Sequence, residues 1–199
     1  MIRPGRIVLA TRNPGKLREF GRLVEAQGCE CIGLQEGGID GEPDETGGTF
    51  AENARLKAYA YSRHTDLPVL ADDSGLEVFA LGGRPGIHSA RYAGIGARDQ
   101  DRVARLLREL GTADSREARF VCALALAREG TLLLEAEGEC RGVIAVEPRG
   151  SNGFGYDPVF LVPELGKTFA ELAQEEKNRI SHRARAVEAL FREFRGQTT

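Results

Sequence analysis

The stretch RIVLATRNPGKLREFGRLVEAQGCECIGL, residues 6–34, sets the pattern on which the rest of the chain builds. Arg6 to Thr11 is an apolar run of buried-strand length, and it meets Asn13-Pro14-Gly15, turn residues that suit a helix start with Pro14 near the first turn. Leu17, Phe20, Leu23 and Val24 then share one helical face. Gly28 closes that segment, and Glu30 to Leu34 resumes as a second short strand. The opening is a strand, loop, helix, strand unit. At Thr11 to Lys16 a strand ends, a tight turn exposes backbone N–H groups, and a helix begins with a lysine beside it, an arrangement that favours anions. The GxxxxGK[ST] spacing of a Walker loop is absent.

Around this opening the chain has 199 residues, 41% hydrophobic and 29% charged, which fits one soluble domain over 1–199. A formal charge of −3 argues against a non-specific polyanion binder, so nucleic acid is not an expected partner and a small ligand is. No apolar run approaches the roughly 20 residues of a membrane helix. Met1 to Arg12 reads as strand-like with three arginines rather than as a signal peptide, and a cytoplasmic protein is expected. Cys29, Cys31, Cys122 and Cys140 lack CxxC spacing and read as buried thiols. Of 27 basic residues only Lys16, Lys57, Lys167 and Lys177 are lysines. A compact ammonium binds phosphate in a way that guanidinium does not imitate, so each lysine marks a place to look.

Residues 35–48, QEGGIDGEPDETGG, form an acidic, glycine-rich loop without periodicity; order in so long a loop implies function. Thr49 with Glu52 has the capping-box spacing and predicts a helix from about Phe50 to Arg63, with Asn53 and Lys57 on one face. Val69 to Ala71 reads as a strand that stops at Asp72-Asp73-Ser74-Gly75, after which Leu76 to Phe79 is extended again. Two carboxylates at a strand end suit magnesium and general-base chemistry; alternation gives one the ligand or base role and the other a supporting one. Val103, Leu106, Leu107 and Leu110 mark a third helix. Phe120 to Leu126 is a strand buried on both faces, with Leu132 to Cys140 as its hairpin partner. Phe154-Gly155-Tyr156-Asp157 puts two rings and a carboxylate on a glycine loop, suited to stacking on a base and accepting its N–H groups. The apolar strand Val159 to Val162 follows. A capping-box pattern at Thr168 and Glu171 and the stripe Ile180, Ala184, Val187, Phe191 and Phe194 predict a closing helical region in which Lys177, Ser181, His182 and Arg183 cluster donors.

Together LATRNPGK, TFAENARLKA, LADDSGLEV, PGIHSARYAG, GFGYDPVF and EEKNRISHRARA resemble, in order and over nearly the whole chain, the motifs of the inosine triphosphate pyrophosphatase family, the Ham1-like pyrophosphohydrolases. The resemblance implies a mixed α/β fold, an elongated central sheet flanked by helices, with two lobes around a nucleotide cleft, in a homodimer. It also implies magnesium-dependent hydrolysis of ITP, dITP and XTP to monophosphate and pyrophosphate. Thr11, Asn13 and Lys16 would then hold phosphates. Glu45 and Asp73 would bind Mg2+, with Asp73 also accepting the proton of water and Lys57 and Asp72 supporting them. Ser74 would contact substrate, and Phe154, Gly155, Tyr156 and Asp157 with Lys177, His182 and Arg183 would form the base pocket. Arg12 and Ser151-Asn152 depart from the pattern without removing a catalytic group. Two alternatives are a Maf-like pyrophosphatase acting on pyrimidine or modified nucleotides, and a nucleotide-binding regulator without turnover. The SHR and FGYD residues argue against the first. The set Glu45, Asp72, Asp73 and Lys57 argues against the second.

Overall fold

The computed structural model describes residues 5–41 and 43–196; the strand-like reading of residues 1–4 and Glu42 of the acidic stretch fall outside the described residues. Seven strands among these form one open sheet in the order β2-β1-β3-β4-β5-β6-β7. They are β1 Arg6–Ala10, β2 Glu30–Gly33, β3 Val69–Val78, β4 Glu117–Arg128, β5 Thr131–Ile144, β6 Phe160–Val162 and β7 Lys167–Thr168. β1 runs parallel to β2 and β3, whereas β6 is antiparallel to β5 and β7, so the sheet is mixed. Helices α1 Pro14–Glu25, α2 Phe50–Tyr61, α3 Asp99–Leu110, α4 Gln174–Ile180 and α5 His182–Gly196 flank it. The mixed α/β sheet implied by the motifs is the one observed.

The chain divides into two compact units, each discontinuous in sequence: Met1–Asp73, Cys122–Gly138 and His182–Thr199 form the first, Ser74–Val121 and Glu139–Ser181 the second. In the first, Ile7 and Leu9 of β1 and Leu124 and Leu126 of β4 bury against Phe20 and Val24 of α1 and Val187, Leu190 and Phe191 of α5. The alternation that makes β4 apolar on both faces leaves Ala118 to Ala127 with only Arg119 less than fully buried. At Gly138 the strand β5 passes so close to the first turn of α5 that a Cβ would lie 2.3 Å from the His182 carbonyl oxygen and 2.4 Å from the Ala186 nitrogen. Only glycine lets the start of α5 sit there. The second unit packs Leu76, Val103, Leu106, Ile144 and Leu172 around the rings of Phe120, Phe160 and Phe169, whose centroids lie 4.6 to 5.7 Å apart.

Several expectations need correction. Asp72-Asp73 does not end a strand: β3 continues through both acids to Val78, and what ends at Ala71 is its pairing with β1. The turn signal of Asp-Asp-Ser-Gly is overridden by neighbouring strands that bury this segment. The box at Thr168 and Glu171 forms, but it caps a single 3-10 turn, Phe169–Glu171. The closing helical region is broken at Ser181, whose backbone is extended, so Ile180 belongs to α4 rather than to the stripe of α5. The apolar period ran through a break that no glycine or proline announces.

Candidate active site

Asn13 is the N-cap of α1, its Oδ1 accepting from the Gly15 and Lys16 nitrogens at 2.8 and 3.1 Å. The Thr11 hydroxyl accepts from the Asn13 nitrogen. The side-chain half of the turn is thereby fixed, and the helix start carries the partial positive charge of its orphan N–H groups. From the first turn, Lys16 reaches Asp72 Oδ2 at 2.8 Å.

The described residues of the acidic loop are held by contacts that run to the site. Arg12, a departure from the motif pattern, donates to the Gly41 carbonyl at 2.6 Å, and Ile39 of the loop is itself buried. Its returning limb is fastened to the start of α2 by three bonds. Gly48 N–H donates to Glu52 Oε2 at 2.7 Å, Gly47 N–H to Asn53 Oδ1 at 2.8 Å, and Lys57 Nζ to Glu45 Oε1 at 2.8 Å. Thr49 caps α2 as expected, accepting from the Glu52 nitrogen, while the Glu52 carboxylate reaches one residue further back than a simple capping box would place it.

Asp72 and Asp73 are both buried and, as neighbours on a strand must, they engage different helices. Asp73 accepts from Asn53 Nδ2 through Oδ2 at 3.0 Å, and its Oδ1 lies 3.7 Å from Lys57 Nζ. Glu45 and Asp73 therefore share one ammonium. Burial works against the charge of Lys57, but Asp72, Asp73 and Glu45 outweigh it and hold the amine above its ordinary range. Burial likewise works against ionisation of Asp72, yet Lys16, Lys57 and Arg183 together hold its carboxyl below the ordinary range. For Asp73 burial prevails over Lys57, Lys16 and the Asn53 hydrogen bond, and the carboxyl is pushed up. Two adjacent carboxyls with opposite shifts are the pattern expected of one structural and one reactive acid.

Arg183, in the first turn of α5, is buried and donates to Glu19 Oε2 at 2.7 Å, with its guanidinium 6.0 Å from the Phe20 ring centroid. His182 beside it is fully buried. Glu19 escaped notice in the sequence. Its signal was a carboxylate spaced four residues from Leu23 and next to Phe20, on the side of α1 that faces the core.

The remaining candidates lie in the second unit, apart from His182 and Arg183 in the first. Ser74, half-buried in β3, is its first residue. Asp157 Oδ2 accepts from the Phe154 nitrogen at 2.9 Å and from Lys177 Nζ at 2.5 Å. The Lys177 ammonium lies 5.4 and 5.3 Å from the rings of Phe154 and Phe169, a cation held over two aromatic faces. Gly155 N–H donates to Asp99 Oδ2 at 2.7 Å, and the buried Tyr156 donates its hydroxyl proton to the Ser89 carbonyl at 2.9 Å. Tyr156 is thus a brace in the core, and Phe154 is the half-buried ring of the pair. Asp99 and Ser89 carried no sequence signal, because their partners, the Gly155 N–H and the Tyr156 hydroxyl, lie more than 50 residues away.

A profile of the Ham1 family matches residues 7–193. A dITP/XTP pyrophosphatase of Geobacillus kaustophilus is 57% identical over 92% of this chain and 91% of its own. One from Gloeobacter violaceus is 55% identical over 93% and 92%. Among solved structures, the Staphylococcus aureus Ham1 protein superposes with a TM-score of 0.85 at 43% identity, covering 96% of this chain and 99% of that one. A HAM1 protein from Coxiella burnetii gives a TM-score of 0.82 at 46% identity, over 92% and 94%.

Proposed function

Given that the chain belongs to the Ham1 family, we propose that it is one nucleoside triphosphate pyrophosphatase domain that hydrolyses dITP, ITP, XTP and dXTP to the monophosphate and pyrophosphate with Mg2+ and so cleanses the nucleotide pool. The observation that carries this reading is the set of charges around the buried Lys57: Glu45 and Asp73 meet on its ammonium, while Asp72 holds Lys16 at the start of α1.

Among the described residues no three His, Cys, Asp or Glu side chains converge as a metal cage. Two hard carboxylates are what Mg2+ commonly takes from a protein, with phosphate oxygens and water filling the rest of its octahedron. Glu45 and Asp73 fit that role. The ion, when bound, supplies Lewis-acid polarisation of the phosphate and draws charge from the leaving pyrophosphate.

Thr11, Asn13 and Lys16 take the phosphates: the helix start and the ammonium neutralise an anion whose charge spreads onto the leaving group as the bond breaks. Asp73 accepts the proton of the attacking water. Asn53 holds its Oδ2, which leaves Oδ1, on the Lys57 side, for the exchange. Asp72 stays ionised and fixes Lys16, and Lys57 keeps Glu45 and Asp73 together. Most of the rate then comes from positioning and charge stabilisation rather than from covalent chemistry. Ser74 contacts substrate. For the base, Phe154 offers a ring to stack on, Gly155, Tyr156, Asp157 and Lys177 hold the loop that presents it, and His182 and Arg183 donate to a 6-oxo group. The enzyme works on a free nucleotide in the cytoplasm as a homodimer, with neither nucleic acid nor membrane as partner. Among the described residues no helix is long and apolar enough to cross a membrane.

The test is a nucleotide panel incubated with the purified protein and Mg2+, with products separated by chromatography. Monophosphate and pyrophosphate should form from dITP, ITP and XTP in one step, with orthophosphate appearing only after inorganic pyrophosphatase is added. A diphosphate with free orthophosphate would place attack at the terminal phosphorus and overturn the reading.

A further inference from the structure

Asn53 is fully buried on α2, and both ends of its carboxamide are used. Oδ1 accepts from the Gly47 nitrogen, on the acidic loop that carries Glu45; Nδ2 donates to Asp73 Oδ2, on β3. An amide with its oxygen bonded to an N–H and its nitrogen to a carboxylate has one orientation, since a flip would set donor against donor and acceptor against acceptor. The loop backbone lies hard against this side chain. A Cβ on Gly47 would be 2.7 Å from Asn53 Oδ1 and 2.7 Å from the Glu52 Cβ, so glycine is the residue that lets the N–H reach it.

We propose that Asn53 is a positioning residue that couples the seating of the acidic loop to the orientation of Asp73, so that Glu45 and Asp73 present a divalent-ion site only when the Gly47–Asn53–Asp73 chain is intact. The inference rests on the assignment of Glu45 and Asp73 as metal ligands. Neither carboxylate is set by its own strand or loop alone. Glu45 sits on a loop whose position depends on bonds to residues 52, 53 and 57, and Asp73 has a side-chain torsion that Asn53 fixes from the Oδ2 side. Lys57, one turn further along the same face of α2, holds the other side of both acids. Two residues four apart on one helix thus hold a pair of carboxylates drawn from two separate segments. Outer-shell partners of this kind commonly govern metal affinity as strongly as a weak ligand does.

The test uses the full chain and Mn2+ alone as the probe, titrated by electron paramagnetic resonance without nucleotide, followed by dITP turnover across a range of Mn2+ concentrations. Asn53→Leu removes both bonds at similar volume, and Gly47→Ala disturbs only the loop side. Each should weaken Mn2+ binding by roughly 10-fold or more, as loss of an outer-shell partner typically does. The double variant should be little worse than Asn53→Leu, because the two residues act in one chain. Turnover lost in the single variants should return as Mn2+ is raised, which a general loss of structure would not allow. Should Asn53→Leu fail to give the wild-type circular dichroism spectrum, Gly47→Ala carries the test. A folded Gly47→Ala or Asn53→Leu protein that binds Mn2+ as the wild type does overturns the coupling while leaving the metal assignment standing. Wild-type protein that binds no Mn2+, either alone or with pyrophosphate present, removes the assignment and the coupling together.

Discussion

Exchanging each of the adjacent acids for its amide should move stability and activity in different directions. In Asp72→Asn the half-buried Lys16 loses the buried carboxylate 2.8 Å away, and Arg183 and Lys57 lose a neighbour that offsets their charge. Removing one partner of a buried ion pair costs ~3–5 kcal/mol, and because an amide oxygen still accepts one hydrogen bond the expected loss is about 2–3 kcal/mol. At ~2–4 °C per kcal/mol for a chain of this size, Tm should fall by roughly 4–12 °C. In Asp73→Asn the charge removed is one that burial already disfavours, so Tm in metal-free buffer at pH 7 should stay within about 2 °C of wild type or rise. Turnover of dITP by that variant should nevertheless drop ~10²–10³-fold or more, since an amide is a poor Mg2+ ligand and no base. The pH dependence follows from the same directions. Asp72, depressed in the fold, adds stability above its ordinary value of 3.8 that is lost as pH falls through its lower folded value, so the Asp72→Asn deficit should be full at pH 7 and shrink as pH drops below 3.8. Asp73, raised in the fold, favours the folded state below 3.8, and that contribution disappears as pH climbs through its folded value. Calorimetric melts in EDTA at pH 7 and pH 3, alongside a chromatographic turnover assay, make the comparison. If Asp73→Asn melts as low as Asp72→Asn, or if Asp72→Asn melts with wild type, the division into a structural and a reactive acid is wrong.

Three further outcomes are expected. Gly138→Ala should destabilise the chain by ~2 kcal/mol or more, because its Cβ would meet backbone of α5 rather than a side chain that can move; a wild-type melt would show that α5 can shift away from β5. Arg183→Ala should lower kcat/KM for ITP much more than for ATP, shrinking the ratio between them, since a lost donor matters most to a 6-oxo base; an unchanged ratio would assign the arginine to structure or phosphate. Glu109 is held down to about 2, first by the Tyr92 hydroxyl and then by Arg105, so its contribution is present above about pH 4.5 and lost as pH falls toward 2. Glu109→Gln should therefore melt below wild type at pH 7 and with it near pH 2, and a gap that persists at the acid end would point to packing instead.

The parts of the fold legible in the sequence are those governed by short-range pattern. β1, α1 and β2 follow from one apolar run, one N-cap asparagine and one glycine, and α2 from Thr49 with its apolar face. β3 is not legible as one strand because Asp-Asp-Ser-Gly is a turn by local chemistry, and only the strands beside it and the lysines around it make an extended buried acid pair tolerable. The break at Ser181 was invisible for the converse reason: nothing local stops the helix, and the segments on either side belong to different units. Within the site, residues that bear chemistry on their face were found from their type and spacing. Residues that hold those groups in place were found only where they bear a charge beside a motif, as Lys57 and Asp72 do. Glu19 and Asp99 look ordinary in one dimension, and Asn53 shows there only the helix face it shares with Lys57; their meaning lies in partners such as Arg183, Gly155 and Gly47 that the fold alone brings to them.

The interleaving of the two units has a consequence for how the protein is made. The segment that completes the first unit begins at His182, so the charged residues around Lys57 leave the ribosome well before the helix that buries Phe20 and covers Leu124. At ~5–20 residues per second, the more than 100 residues between Asp73 and His182 leave the nascent chain for many seconds with an uncovered apolar sheet face and ionised groups awaiting their counterions. The second unit, whose last residue is Ser181, is complete in sequence just before α5 emerges. Synthesis order therefore makes α5 the latch of the first unit, and chains stopped short of it should be recognised by chaperones as unfinished.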